Sequence, residues 1–203
     1  MKGIVFCISM LLCSMVFAQL EPLPGMDTLR VYTSIEAGLQ NPKQVKRLDL
    51  SRKKLKEIPA DVFLFTELEE LILDRNKLKS IPSEITQLKK LRHLSISKNK
   101  LEDFPPIICN LRSLERLDLS DNEIGKLPDE IHRLQNLQEL ILWSNIIGYY
   151  PTSLIRMKSL TYVDLLNNEM NDQEQERVIN LLKNAEIKLS PPCDCTFYDE
   201  EDE

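Results

Sequence analysis

Apolar side chains recur along this chain with a fixed period of 23 residues. The cleanest copy combines apolar residues with one asparagine and one proline, at Leu68, Leu71, Leu73, Asn76, Leu78, Ile81, Pro82, Ile85 and Leu88. Full copies start at Val45, Leu68, Leu91, Leu114 and Leu137, and a partial copy starts at Leu160. A period of this length predicts a stack of similar structural units rather than a globule around one pocket.

Each copy opens with two apolar residues that flank a single residue. Because alternate side chains of a strand point to opposite faces, Leu71 and Leu73 should point into the core and Ile72 should point outward. We expect the buried amide of the asparagine that follows to bond backbone groups of its own copy and of the adjacent copy. Position 53 carries Lys53 instead, which predicts a looser first turn with this side chain turned outward.

An apolar residue followed by proline marks the return path of each copy. Proline fixes its own φ and favours extended geometry in the residue before it, so this element should bend the chain. Short helical turns are expected next. They should bury one apolar residue per copy, at Val62, Ile85, Ile108, Ile131 and Leu154.

These residues together resemble the leucine-rich repeat family, in its 23-residue class, over about residues 35–189. The resemblance implies an α/β fold: a leucine-rich repeat solenoid shaped as a horseshoe arc, with a parallel β-sheet on the concave face and short helical turns on the convex face. It also implies a protein that mostly binds other molecules, although a fold by itself does not fix a function.

The two open ends of such a stack each need a cap. We expect residues 19–44 to form an N-terminal segment with a short capping helix. A capping box from Thr33 to Glu36 should start this helix, and Ile35 and Leu39 should close the core. Five full repeats and a partial sixth should then occupy residues 45–170.

A second cap is predicted over residues 171–189. A helix should start at Asn171 and bury Val178, Leu181 and Leu182, and a last strand should follow over residues 186–189. Residues 190–203 form an acidic tail with the composition of a disordered segment.

The first 18 residues have the pattern of a secretory signal peptide. Lys2 gives a short basic start, an apolar run extends to Phe17, and a small-x-small site predicts cleavage after Ala18. The run is shorter than the ~20 residues of a membrane span, so we expect no membrane insertion after cleavage. An uncleaved anchor is the alternative. The pattern predicts a bacterial protein that is secreted or held in the periplasm or cell envelope.

Cleavage would remove one charged residue, Lys2, and change the formal net charge from −6 to −7. This acidic balance argues against nucleic acid as a partner, since nucleic acid attracts a basic face. Three cysteines would remain, at Cys109, Cys193 and Cys195. The last two allow a local disulfide, a bridge from one of them to Cys109, or a metal-binding thiolate pair. No metal is predicted, because zinc sites usually have four ligands and no second Cys/His pair lies nearby.

The sequence carries no motif for a reaction site. His93 on the sheet and His132 on a convex turn should lie far apart, and nothing matches a phosphate loop or a nucleophile elbow. Asp49, Asp118 and Asp164 are the basis for an acid–base alternative, but exposed polar positions on a sheet explain them more simply. We therefore expect no enzyme and no cofactor.

Outward positions of the predicted strands define the candidate binding surface. Towards the C-terminal end they carry an apolar and aromatic patch, made of Ile141, Trp143, Tyr162 and Leu166. Exposed Trp and Tyr are favoured at protein-binding hot spots. We expect these four residues to contact a partner, with Arg116, Glu139 and His93 in a secondary role. The alternative is that the C-terminal cap or Phe197 and Tyr198 cover the patch.

The predicted function is therefore protein–protein interaction on the concave sheet by an exported, non-enzymatic module. A carbohydrate-binding or adhesive surface protein is the alternative, because exposed Trp and Tyr also stack on sugar rings. An enzyme that uses the exposed carboxylates is a more distant alternative.

Overall fold

The computed structural model describes residues 30–192. In that part of the chain, eight short parallel strands form a single open sheet in sequence order. The strands are β1 (Val31–Tyr32), β2 (Arg47–Asp49), β3 (Glu70–Ile72), β4 (His93–Ser95), β5 (Arg116–Asp118), β6 (Glu139–Ile141), β7 (Tyr162–Asp164) and β8 (Glu186–Lys188). Residues 23 positions apart lie side by side from β2 to β7, as Leu71 does beside Leu94. This confirms the solenoid, in which every repeat adds one strand to the concave face.

Short 3₁₀ helices form the convex side. They span Pro42–Gln44, Ala60–Leu64, Ser83–Gln87, Pro106–Asn110, Asp129–Arg133 and Thr152–Arg156. Each of the last five starts directly after a repeat proline. They bury the residues expected from the sequence, at Val62, Ile85, Ile108, Ile131 and Leu154.

The core lies between the sheet and these helices. The apolar residues on both sides of the middle outward strand position, such as Leu71 and Leu73, are buried. The apolar residue before each proline is buried as well, including the large ring of Tyr150. Truncation of a central leucine such as Leu94 would therefore leave a cavity and cost ~2–5 kcal/mol.

A ladder of asparagine side chains closes the turns after the strands. In the central copy, the Asn122 amide donates to the carbonyl oxygens of Ile96 at 3.0 Å, Leu119 at 2.9 Å and Ser120 at 3.1 Å. Its carbonyl oxygen accepts a hydrogen bond from the Leu101 amide at 3.1 Å. Lys53, which replaces the first asparagine, is exposed as expected.

The residue before each asparagine adopts a left-handed backbone. Lys98 and Asp121 both have φ of 54°. Side chains other than glycine rarely occupy this region. The turn that directs each asparagine inward therefore carries local strain, which the ladder of hydrogen bonds offsets.

The N-terminal cap differs from the expectation in two details. Ser34 rather than Thr33 caps α1 (Ile35–Leu39), because its hydroxyl accepts a hydrogen bond from the Ala37 amide at 3.3 Å. The expected burial of Leu39 is also wrong, since 38% of this residue is exposed.

Gly38 faces the core in place of Leu39. A Cβ atom there would lie 2.8 Å from the Phe65 ring, so only glycine allows this close approach. Strand β1, which the sequence pattern did not predict, brings the buried Tyr32 beside Leu48.

At the other end, Asn171 caps α2 (Asp172–Leu181) and accepts a hydrogen bond from the Glu174 amide at 2.9 Å. Val178 and Leu182 are buried, and Leu181 packs against the core. Strand β8 then pairs with β7. Within residues 30–192, neither helix has the length and apolar character to cross a bilayer. The predicted signal peptide and most of the predicted tail lie outside the described residues.

Candidate functional site

From β2 to β6, the first outward position of each strand forms a column of charged and ionisable side chains across the concave sheet. Glu70 is buried between two cationic or ionisable neighbours: Arg47 donates a hydrogen bond to it, and His93 Nδ1 lies 2.7 Å from its Oε1 atom. Burial alone would raise the pKa of Glu70, but the hydrogen bonds with His93 and Arg47 outweigh burial, and the pKa is lowered. The ionised Glu70 carboxylate thus links Arg47 and His93 at the N-terminal end of the column.

Arg116 and Glu139 continue this column as a two-pronged ion pair. Arg116 Nε donates to Glu139 Oε2 and Nη2 donates to Oε1, both at 2.7 Å. The expectation that Arg116 is exposed is wrong, since only 4% of it is accessible. The reason is the register, which sets Glu139 directly beside Arg116 and lets the guanidinium lie along the sheet. Glu139 and His93 are partly buried.

The patch predicted towards the C-terminal end has a covered floor and more open edges. Ile141 was expected to be exposed, but only 3% of it is accessible. It nevertheless stands apart from the core cluster. It lies on the outer side of the sheet, where its neighbours in the same register flank it. Trp143 and Tyr162 are partly buried, and Leu166 is 37% exposed.

Two aspartates flank this floor. The register places Asp118 on one side of Ile141 and Asp164 on the other. Asp118 Oδ1 accepts hydrogen bonds from the Ser120 amide at 2.9 Å and its hydroxyl at 2.6 Å. Burial nevertheless raises the pKa of Asp118, and burial likewise raises the pKa of Asp164. Both carboxylates thus stand in an environment that disfavours their charge.

From the sequence, these aspartates were predicted to be exposed polar positions or an acid–base pair, and they were not connected with the aromatic patch. The available signal was the 23-residue register, which puts Asp118, Ile141 and Asp164 in one column. Lys98 was missed too. Its ammonium lies 5.7 Å from the centroid of the Trp143 ring and 3.3 Å from Asp121 Oδ2.

Metal and thiol chemistry find little support in the described part of the chain. Residues 30–192 contain no group of three or more His, Cys, Asp or Glu side chains placed to hold a metal ion. Cys109 is a free and fully buried thiol, so the alternative of a bridge to a tail cysteine is wrong. Burial raises the pKa of Cys109 to about 12. Cys193 and Cys195 lie outside the described residues.

Comparison with known proteins agrees with this architecture. A family model described as a leucine-rich repeat region matches residues 83–187, more than half of the chain. A second, described as a leucine rich repeat, matches residues 43–101. The chain therefore belongs to the leucine-rich repeat family, whose fold serves as a protein-interaction module.

Among solved structures, the chain is similar to a leucine-rich repeat protein of Leptospira interrogans, with 32% identity and a TM-score of 0.62. The match covers 81% of this chain and 49% of that protein, so this chain spans about half the length of that relative. Because 462 chains of solved structures match, the fold alone does not select a partner. No curated protein sequence matched significantly.

Proposed function

We propose that this chain is an exported, non-enzymatic interaction module that binds a protein partner on its concave sheet. The patch formed by Ile141, Trp143, Tyr162 and Leu166 is the proposed contact site. Family membership supports a binding role, and the residue types of the patch support its position, because large aromatic side chains dominate protein-binding hot spots.

The contrast between the two halves of the concave sheet carries this proposal. In the front half, Arg47, Glu70 and His93 satisfy one another. Towards the C-terminal end, Trp143, Tyr162 and Leu166 leave apolar area open to solvent beside the covered Ile141. Removal of this area from water would drive association, at roughly 25 cal/mol per Å² of apolar surface before the costs of binding.

Arg116, Glu139 and His93 have a secondary place in the proposal. Arg116 is already held by Glu139 through two hydrogen bonds, so its charge is compensated before any partner arrives. A side chain fixed in this way loses little freedom on binding, which favours a preorganised edge beside the patch. These three residues would tune specificity rather than supply most of the affinity.

Export is proposed from residues 1–18, which combine Lys2, the apolar run and the site after Ala18. Mass spectrometry of the protein from the envelope and medium of its host should find Gln19 at the N-terminus. Recovery of Met1 at the N-terminus would point to an uncleaved anchor or a protein that is not exported.

A carbohydrate ligand is the second candidate, because Trp143 and Tyr162 offer partly open rings that also suit stacking on sugars. Leu166, an exposed aliphatic side chain of the patch, favours a protein partner. A glycan array separates the two, since specific glycan binding that depends on Trp143 would support the carbohydrate candidate and overturn the protein one. We propose no enzymatic reaction that uses Asp49, Asp118 or Asp164.

Affinity capture from the host's envelope and medium tests the proposal. The purified protein serves as bait beside a Trp143→Ala/Tyr162→Ala variant. Tyr149→Ala is the matched control, because Tyr149 belongs to the same repeat as Trp143 and is 47% exposed but lies outside the patch. A protein that the wild type and the control retain and the double variant loses supports the concave site. Equal recovery by all three would refute that site.

A further inference from the structure

We infer that the C-terminal end of the concave sheet receives a cationic side chain, an arginine or lysine of the partner, between Asp118 and Asp164 and against Trp143. This inference rests on the proposed function and names the chemistry that the site would recognise. The site is defined by these three residues and by Ile141 as its floor.

Within the described residues, the carboxylates of Asp118 and Asp164 lack a cationic partner. In residues 30–192, neither Asp118 nor Asp164 forms an ion pair with a lysine or arginine. Lys188 stands in register beside Asp164 and acts to lower the pKa of that carboxyl, but its Nζ pairs with Glu186 Oε1 at 2.6 Å. Arg116 bonds Glu139. A carboxylate that is partly removed from water without a cation is costly, and a ligand cation would offset that cost.

The spacing of the two aspartates suits a single extended side chain. Asp118 and Asp164 stand in register two strands apart, on either side of Ile141. With about 4.8 Å between neighbouring strands, their Cα atoms lie roughly 10 Å apart. The alkyl stem of an arginine or lysine can lie across the sheet over Ile141 while its head reaches a carboxylate.

Trp143 supplies a surface that already attracts a cation. The Lys98 ammonium lies 5.7 Å from the centroid of its ring, within the range of a cation–π contact. Lys98 also pairs with Asp121 at the sheet edge, at 3.3 Å. The Trp143 ring therefore already contacts one cation of the chain, and a partner's guanidinium would add a second such contact.

Charge also argues against the chain's own C-terminus as the occupant. Residues 199–203 are all acidic. They would add like charge beside Asp118 and Asp164, which raises rather than offsets the electrostatic cost. A basic segment of another protein fits the site, and a neutral sugar would leave both carboxylates uncompensated.

Trp143 is the only tryptophan of the chain, so its emission reports directly on this site. The purified protein is titrated with a short acetylated peptide in which arginine alternates with alanine. The matched ligand carries citrulline, the uncharged isostere of arginine. The arginine peptide should shift the emission saturably and bind at least about tenfold more tightly than the citrulline peptide. Added salt should weaken this binding.

The variant Asp118→Asn/Asp164→Asn removes both charges and keeps the acceptor oxygens that bond Ser120 and Leu166. It should stay folded and lose at least about tenfold in affinity for the arginine peptide. Asp49→Asn is the control, because Asp49 occupies the same column near the N-terminal end and bonds the Ser51 amide in the same way. Its affinity should match the wild type.

Four results would overturn the inference: no binding of the arginine peptide, equal binding of the citrulline peptide, full affinity in the double asparagine variant, or an equal loss in Asp49→Asn. A response to neutral oligosaccharides alone would assign the site to carbohydrate. If capture of the protein partner still depends on Trp143 and Tyr162 but the arginine peptide does not bind, only the inferred preference for a cationic side chain is refuted. If that partner ignores the two aromatic residues, the proposed function falls with it.

Discussion

The Asn122 side chain donates a hydrogen bond to the Ile96 carbonyl oxygen, 26 positions earlier in the chain, at 3.0 Å. This bond joins a turn to the strand end of the preceding repeat. The same amide group also bonds its own turn, so a single side chain satisfies backbone groups in two repeats. The stack therefore depends on a polar ladder as well as on its leucine core.

Asn122→Ala should destabilise the protein by about 2 kcal/mol or more, because it leaves buried backbone groups unpaired. Asn110→Ala is the control, since Asn110 is exposed at the end of a 3₁₀ helix and should change stability by less than about 0.5 kcal/mol. Urea unfolding followed by circular dichroism measures both. Equal stabilities would contradict a structural role for the ladder.

Arg116→Met should cost about 3 kcal/mol, because it leaves the Glu139 carboxylate without its partner on a largely covered part of the sheet. The second substitution in Arg116→Met/Glu139→Gln should restore part of the loss by removing the unpaired charge. Chemical unfolding measures the free energy of unfolding of Arg116→Met, Glu139→Gln and the double variant, which together form a double-mutant cycle.

Lys79→Met provides the comparison for this pair. Lys79 and Glu102 are also 23 positions apart and form an ion pair at 3.5 Å, but their side chains are 71% and 68% exposed. Loss of this exposed ion pair should change the free energy of unfolding by less than about 1 kcal/mol. A cost as large as that of Arg116→Met would show that burial does not distinguish the two pairs.

Asp118→Asn should raise the stability of the free protein near pH 7. Burial raises the pKa of Asp118, so the folded state binds its proton more tightly than the unfolded state does. The resulting penalty is present above the folded pKa and disappears as the pH falls below the unfolded value of about 3.9. Thermal unfolding of wild type and variant from about pH 7 to about pH 3 should show a gap that closes on acidification. If the difference in stability between variant and wild type grew at low pH, it would contradict a raised pKa for Asp118.

Glu70 should show the opposite dependence. Its pKa is lowered, so its contribution is present above the unfolded value of about 4.3 and is lost as the pH falls through the folded value. Glu70→Gln should therefore destabilise the protein near neutral pH and matter less in acid. The same thermal series tests it, and an unchanged difference between wild type and variant across the range would argue against an ionised link.

Cys109 should resist alkylation in the folded protein, because it is fully buried and its pKa is raised to about 12. The variant Cys193→Ser/Cys195→Ser isolates this thiol. Iodoacetamide near pH 8, where a free thiol of pKa about 8.5 reacts readily, should label it only as fast as the chain unfolds. Rapid labelling without denaturant would show that the thiol is accessible.

The repeat positions were predictable because each one repeats the same local requirement. Leucines at Leu71, Leu94 and Leu117 occupy equivalent inward positions, and the asparagine after each strand occupies an equivalent turn. The same pattern of apolar residues and asparagine occurs in five full repeats, so the solenoid could be predicted although each single copy is a weak signal.

The surface was less predictable, because burial there depends on neighbours rather than on local pattern. Ile141 and Arg116 both stand at outward positions, yet adjacent strands cover them. Arg116 is covered because its register partner Glu139 has the opposite charge. The two-residue strand β1 and the Ser34 cap were missed because such short elements carry no periodic signal.

The affinity of the purified protein partner for three forms of the chain tests the central claim most directly. The forms are wild type, Trp143→Ala/Tyr162→Ala and the control Tyr149→Ala, compared by calorimetry at one salt concentration. We predict a loss of about 2 kcal/mol or more, roughly thirtyfold in Kd, for the double variant alone. Equal affinities for all three folded forms would contradict a binding site on the C-terminal part of the concave sheet.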